Sequence, residues 1–443
     1  MASVVSVRPA LVERFTRSRA RTRALFSLIS EEAYYSRPIS LRNPVVFYEG
    51  HLPAFAVNTL LKRALGEPGI DAHLETIFAR GIDPEEEAAA VARGNPAWPS
   101  RREVQQFAAE ADRRLLHALE TEDLVRADVP LLVEGQAAWT VLEHEEMHQE
   151  TLAYIWHQMP YAWKRKPEGY FTAPPRLSGA VPTRGDVRVP DGWATLGTPH
   201  ANGFAWDNER PSHRVWVEPF SIDVDDVSNS QFLAFVDAGG YRDRRLWREE
   251  DWAWVQESCV THPAFWVRDG ERWCWRGMFE AVDLPLDWPV YVTWAEAAAY
   301  AAWKGRRLPS EAQFHRAAYG TPEGRERAYP WGDSMSGRAP TNFDFVRWDP
   351  EPVGKRPAGA SAFGVNDLVG NGWEWTRDVF APFEGFEPLP SYPEYSADFF
   401  DGRHFVLKGA SPVTDRHLVR PGFRNWFRPR YPFVYATFRT VDA

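Results

Sequence analysis

Residues 165–190, RKPEGYFTAPPRLSGAVPTRGDVRVP, hold five prolines and show no helical period. Proline lacks a backbone N–H and fixes φ, so neither a helix nor a central strand runs through such a stretch. It reads as a linker that divides the chain into residues 1–164 and 191–443. At 443 residues the chain is long for one core and comfortable for two.

The two parts have different textures. Apolar periodicity and breakers in the first predict helices over about 10–29, 53–65, 101–121 and 129–159. Ser100 followed by Glu103 in NPAWPSRREV has the pattern of a capping box. The Arg-rich start, RFTRSRARTRALFSLI, has a transit-peptide composition. Its apolar residues Leu11, Phe15, Leu25, Phe26 and Ile29 nevertheless recur at helical spacing, which favours a first bundle helix with a basic exposed face. Beyond residue 190 the apolar runs shorten and Gly, Pro and Trp punctuate them. Helices are expected there at about 293–303 and within KGRRLPSEAQFHRAAYG.

Formal net charge is −10, which argues against nucleic-acid binding through bulk electrostatics. No apolar run reaches membrane-spanning length. The two cysteines, Cys259 and Cys274, can form at most one disulfide and no thiolate metal framework, so a reducing cytoplasm is the expected setting.

The chemistry-bearing text of the first part is LEHEEMHQET. His144 and His148 are four apart and share a helix face with Val141, Met147, Leu152 and Ile155. Two inward, neutral imidazoles can ligate Zn, Fe, Ni or Cu. HEEMH also fits the metalloprotease pattern H-E-x-x-H, with Glu145 as its base. Two buried structural histidines satisfy the same spacing. His51, in VFYEGHLPAF at the start of an expected helix, is the best third ligand. His157 lies off the face of His148.

The second part carries PVYVTWAEAAAYAAWKGRRLPSEAQFHRAA, YPWGD, GVNDLVGNGWEWT, VLKGAS and FRNWFRPRYPFVYATFR, in that order. This series resembles the formylglycine-generating-enzyme-like, C-type-lectin-related fold over about residues 185–443. Formylglycine chemistry needs a cysteine pair near the C-terminus, and no cysteine follows VLKGAS. With the H-x-x-x-H-x-E helix in front, the whole chain resembles the ergothioneine-biosynthesis sulfoxide synthases. The resemblance implies an α+β architecture: a four-helix DinB-like bundle fused to a domain with little regular secondary structure.

It further implies a non-haem Fe(II) enzyme that uses O2 to join a chalcogen donor to imidazole C2 of hercynine, the trimethylated betaine of histidine. The metal ligands would be His51, His144 and His148. Asn425 and Trp426 match the family's hercynine contacts. An amide can bond the carboxylate, and an indole face attracts a trimethylammonium.

Three departures bear on the donor. Phe427 stands where the best-known members have an Asp that holds γ-glutamylcysteine. Met147 stands where they have a Gln near the substrate imidazole. The His51 segment reads YEGHLPAF in place of Trp-His-Leu-Ala-His. Losing a charge at 427 favours a neutral or sugar-bearing donor over a zwitterionic dipeptide. In this the chain resembles the selenoneine synthases, which take selenium from a selenosugar, and the expectation leans to them over a thiol donor. The family's proton-donating Tyr has no evident match in RDVFAPFEGFEPLPSYPEY, where Phe380, Phe383 and Phe386 precede Tyr392 and Tyr395. Tyr34 and Tyr35 are weaker candidates, and Arg101 and Arg102 read as exposed first-turn residues. A non-catalytic lectin-like binding module and a metal-dependent thiol transferase are the competing classes. Nothing in the sequence sets the oligomeric state.

Overall fold

The computed structural model describes residues 4–79, 97–170, 184–199, 203–335, 337 and 339–443. They pack as two units. Unit 1 comprises residues 1–168 together with Leu389–Pro393, and unit 2 comprises residues 169–388 and 394–443. Residues 171–183 of the expected linker lie outside the described residues, and Asp186–Val189 within it form a strand. No described helix is long and apolar enough to cross a membrane.

Unit 1 is helical. Its elements are α1 (Val4–Ser27), α2 (Val45–Ala56), α3 (Ala72–Ile77), α4 (Arg101–Thr121) and α5 (Gln136–His157). The four long helices make the expected bundle, with α2 on α4 and α1 on both α5 and α4. Leu11 and Phe15 of α1, Leu115 and Leu119 of α4, and Val141 and Leu142 of α5 share one core with Val57, Leu60 and Leu61. The capping box forms: the Ser100 hydroxyl accepts from the Glu103 N–H, and the Glu103 carboxylate accepts from the Ser100 N–H at 2.8 Å.

Two helical expectations are corrected. The second helix begins at Val45, not at residue 53, and Pro53 lies inside it. Ten of its twelve residues are buried, so it has no polar face to set a period, and the proline imitates a helix start. Val57–Ala64 then continue as a π-helix. The basic face of α1 is also not simply exposed. Arg14 Nε bonds Glu146 at 2.8 Å, and Arg19 Nη1 lies 3.2 Å from Glu145. The acidic half of α5 draws these arginines inward.

Unit 2 is built from short strands and loops around aromatic side chains. Its central sheet, in the order β10-β9-β8-β11, joins β8 (Gly372–Val379), β9 (Phe405–Ala410), β10 (Asn425–Phe427) and β11 (Ala436–Thr437). β8 pairs antiparallel to β9 with an irregularity between Trp375 and Val379, and β11 runs parallel to β8. Three smaller sheets pair β1 (Asp186–Val189) with β4 (Phe220–Asp223), β2 (Gly192–Leu196) with β3 (His213–Val217), and β5 (Trp266–Asp269) with β6 (Arg272–Arg276) and β7 (Ala281–Asp283). The helices include α6 (Asn229–Asp237), α7 (Glu249–Glu257), α8 (Trp294–Trp303), α9 (Glu311–Tyr319) and α10 (Glu394–Ala397). α8 and α9 are the two that the sequence foretold. Cys259 is exposed, Cys274 is buried, and both are free.

Candidate metal centre

The three candidate histidines converge in unit 1. His51 comes from the middle of α2, and His144 and His148 from successive turns of α5. Each offers one ring nitrogen, and the three nitrogens lie within 4.8 Å of one another. His51 and His144 are buried, and His148 is half-buried.

Hydrogen bonds set the tautomers. His51 Nδ1 lies 2.9 Å from the Phe78 carbonyl, so that nitrogen carries the proton and Nε2 is left as the lone-pair donor. The contact requires Gly50, because a Cβ there would run into the Phe78 ring. His148 Nδ1 lies 3.0 Å from the carbonyl of His144, which again leaves Nε2 available. Among the described residues, His144 Nε2 is buried with no hydrogen-bond partner. A buried ring nitrogen without a partner is costly, and a metal ion would satisfy it.

Desolvation lowers the pKa of His51 to about 4 and that of His148 to about 3, and pulls His144 well below an ordinary imidazole. All three are neutral at pH 7, which is the ligating form. Two phenyl rings fix them in place. Phe55 stacks on His144 at 3.6 Å between centroids and 12° between planes, and Phe47 stacks on His51 at 4.8 Å. The donor set therefore fits a divalent ion held by three neutral nitrogens, with the remaining positions open.

Glu145 of HEEMH and Gln149 just after the motif are committed elsewhere. Glu145 accepts from Thr22 at 2.6 Å and pairs with Arg19, while Gln149 donates to Ser18 and Thr22. A carboxylate tied to α1 in this way is not placed to act as a metalloprotease base. His157 is buried, yet it does not join the cluster.

The two tyrosine candidates have other neighbours than the histidines. Tyr34 is buried beside Glu49 and under the Arg101 guanidinium, 4.8 Å from its ring, and burial raises its pKa. Tyr35 is exposed and donates to the Pro99 carbonyl at 3.2 Å. Neither ring meets the imidazoles. Tyr392 does: its ring lies 6.0 Å from His144 and 5.1 Å from Phe55. It arrives on Leu389–Pro393, the segment that packs in unit 1. No local pattern could have found it, because the contact spans some 250 positions. Arg101 is not free either, since it pairs with Glu31 at 2.5 Å, and Arg102 is exposed.

In unit 2, Asn425 and Trp426 lie on β10. The Asn425 side-chain carbonyl accepts from the Trp426 N–H at 2.9 Å, which leaves its NH2 to donate. One face of Trp426 is covered by Phe380, parallel at 4.3 Å, and Tyr395 and Phe399 approach at 5.2 and 5.6 Å. Phe427 stacks on Tyr431 at 5.4 Å. Met147 is half-buried on α5, between the two histidines in sequence.

The sulfatase-modifying factor enzyme 1-like domain family matches residues 172–443, and the DinB superfamily matches residues 14–152. The chain is 43% identical over 242 residues to the hercynine oxygenase of Mycolicibacterium thermoresistibile, covering 53% of each protein. It is 37% identical over 324 residues to that of Mycolicibacterium smegmatis, covering 70% of this chain and 72% of the relative. It is 28% identical over 496 residues to ergothioneine biosynthesis protein 1 of Neurospora crassa, covering 94% and 55%. The matches thus span about half the length of the first and third of these relatives. With a DinB-superfamily region ahead of a sulfatase-modifying factor enzyme 1-like domain, the chain belongs to the hercynine oxygenase family.

Proposed function

We propose that the chain is an O2-dependent Fe(II) enzyme that forms a carbon–chalcogen bond at imidazole C2 of hercynine. The observation that carries this reading is the convergence of His51, His144 and His148, with the buried Nε2 of His144 left without a partner. These three residues would hold Fe(II), which when bound supplies the site where O2 takes electrons from the chalcogen donor. Asn425 would donate to the hercynine carboxylate, and the Trp426 indole would receive the trimethylammonium. Tyr392, beside His144, is the proton donor of this reading. Met147 borders the substrate imidazole without donating to it.

The donor in this reading is a selenosugar. Phe427 presents a neutral ring stacked on Tyr431, where a carboxylate would suit the ammonium of a cysteine-type donor. A thiol donor such as cysteine or γ-glutamylcysteine is the alternative.

A donor competition tests both levels. The protein is loaded anaerobically with Fe(II), given hercynine with equal selenosugar, thiosugar, cysteine and γ-glutamylcysteine, and exposed to air. Mass spectrometry should show a selenium adduct in excess of any sulfur adduct. A sulfoxide from a thiol alone would move the chain to the thiol branch, and no adduct with any donor would overturn the reading. Phe427→Asp should raise the share of γ-glutamylcysteine product about tenfold, the scale of one recovered ionic contact.

A further inference from the structure

The segment Leu389–Pro393 is fastened to the bundle by few groups. Thr140 of α5 and Ser391 share a hydroxyl–hydroxyl bond of 2.7 Å. A further fastening is Arg63. Its Nη1 donates to the Ser391 carbonyl at 3.2 Å and its Nη2 to the Pro390 carbonyl at 3.0 Å. Among the described residues Arg63 has no carboxylate partner, and its planar fork donates to two successive carbonyls, a geometry that a lysine ammonium cannot copy. Arg63 belongs to the π-helix Val57–Ala64, which directly continues the helix that carries His51. Eight residues of π-helix are rare, and such wide turns cluster at functional sites. The wide turn aims Arg63 differently from the register α2 would impose.

We infer that Arg63 is a positioning residue: it locks residues 389–393 against the bundle and so holds the Tyr392 ring beside Phe55 and His144. The inference rests on the proposed function for the use made of Tyr392, but the lock itself is independent of it. Tyr392 N–H closes a turn on the Leu389 carbonyl at 2.9 Å, and that amide reports on the segment.

The test is made on the full chain with Arg63→Ala and Arg63→Lys. Hydrogen exchange at Leu389, Ser391 and Tyr392 should rise at least fivefold in R63A and less in R63K, while exchange in α4 stays within twofold. In turnover, R63A should lose at least fivefold in kcat with the KM for hercynine within twofold. The double variant R63A/Y392F should fall no more than twofold below Y392F, because the lock acts through that ring. Unchanged exchange in R63A would overturn the inference, and so would losses in R63A and Y392F that multiply. If the wild-type chain does not turn over hercynine, the proposed function fails, and the exchange result still decides the lock.

Discussion

Two of the places where this chain buries polarity are finished in opposite ways. In unit 2 the fully buried Arg439 bonds Glu374 through Nε and Nη2 at 2.6 and 2.8 Å and Asp226 through Nη2 at 2.8 Å. Its Nη1 donates to the carbonyls of Asp223 and Val224. The guanidinium is saturated by protein. In unit 1 the three imidazoles are stacked, oriented and neutral, yet the His144 Nε2 has nothing to bond. Burial alone therefore does not mark a functional site. What separates the two centres is that every N–H of the guanidinium has a protein acceptor, whereas among the described residues one imidazole nitrogen has no partner.

The largest effect expected from this contrast is at the saturated centre. Arg439→Met strands two buried carboxylates and should cost about 3–5 kcal/mol, measured by urea unfolding, without changing metal binding in unit 1. A loss below about 1 kcal/mol would break the comparison. At the open centre the order reverses. His148→Ala should weaken Fe(II) or Co(II) binding at least 100-fold, about 2.7 kcal/mol, in an anaerobic titration. The metal-free protein should lose less than about 1 kcal/mol, since the ring is half-buried and its hydrogen bond is local.

A smaller effect sharpens the account of unit 2. Burial raises Asp367 from 3.8 to about 6. A raised folded pKa gives stability that is complete below the unfolded value and is lost as pH rises through 6. Asp367→Asn should thus gain about 1–3 kcal/mol at pH 8 and nothing below about pH 3, by thermal unfolding at both values. Asn suits the site because φ there is +56°. The smallest effect is at the capping box: Ser100→Ala should cost about 1 kcal/mol and leave metal affinity unchanged.

These elements also show where the sequence was readable. The capping box, α8, α9 and the His144–His148 pair are local patterns, and local patterns leave a trace at fixed spacing. α2 left none, because a helix buried on every side has no polar period and Pro53 imitates a boundary. His51 is legible as a candidate third ligand and the resemblance singles it out, but its tautomer depends on Phe78, 27 residues away. Tyr392 lay in a stretch that the resemblance marked as important, but its partner depends on a chain return that no window of residues encodes. Tyr34 and Tyr35 are near the bundle histidines' helices in sequence, and the fold gives them other neighbours.

The placement of residues 389–393 has a consequence for the timing of synthesis. Protein chains emerge from the ribosome N-terminus first, and early domains fold while later ones are still being made. All three histidines are available once α5 is out, whereas Tyr392 emerges some 235 residues later. A nascent chain thus acquires the means to capture a metal well before it acquires the ring that stands beside it. A polypeptide that stalls in this interval carries the three histidines without Tyr392, so the cluster and the ring beside it are separated by most of the time that unit 2 takes to emerge.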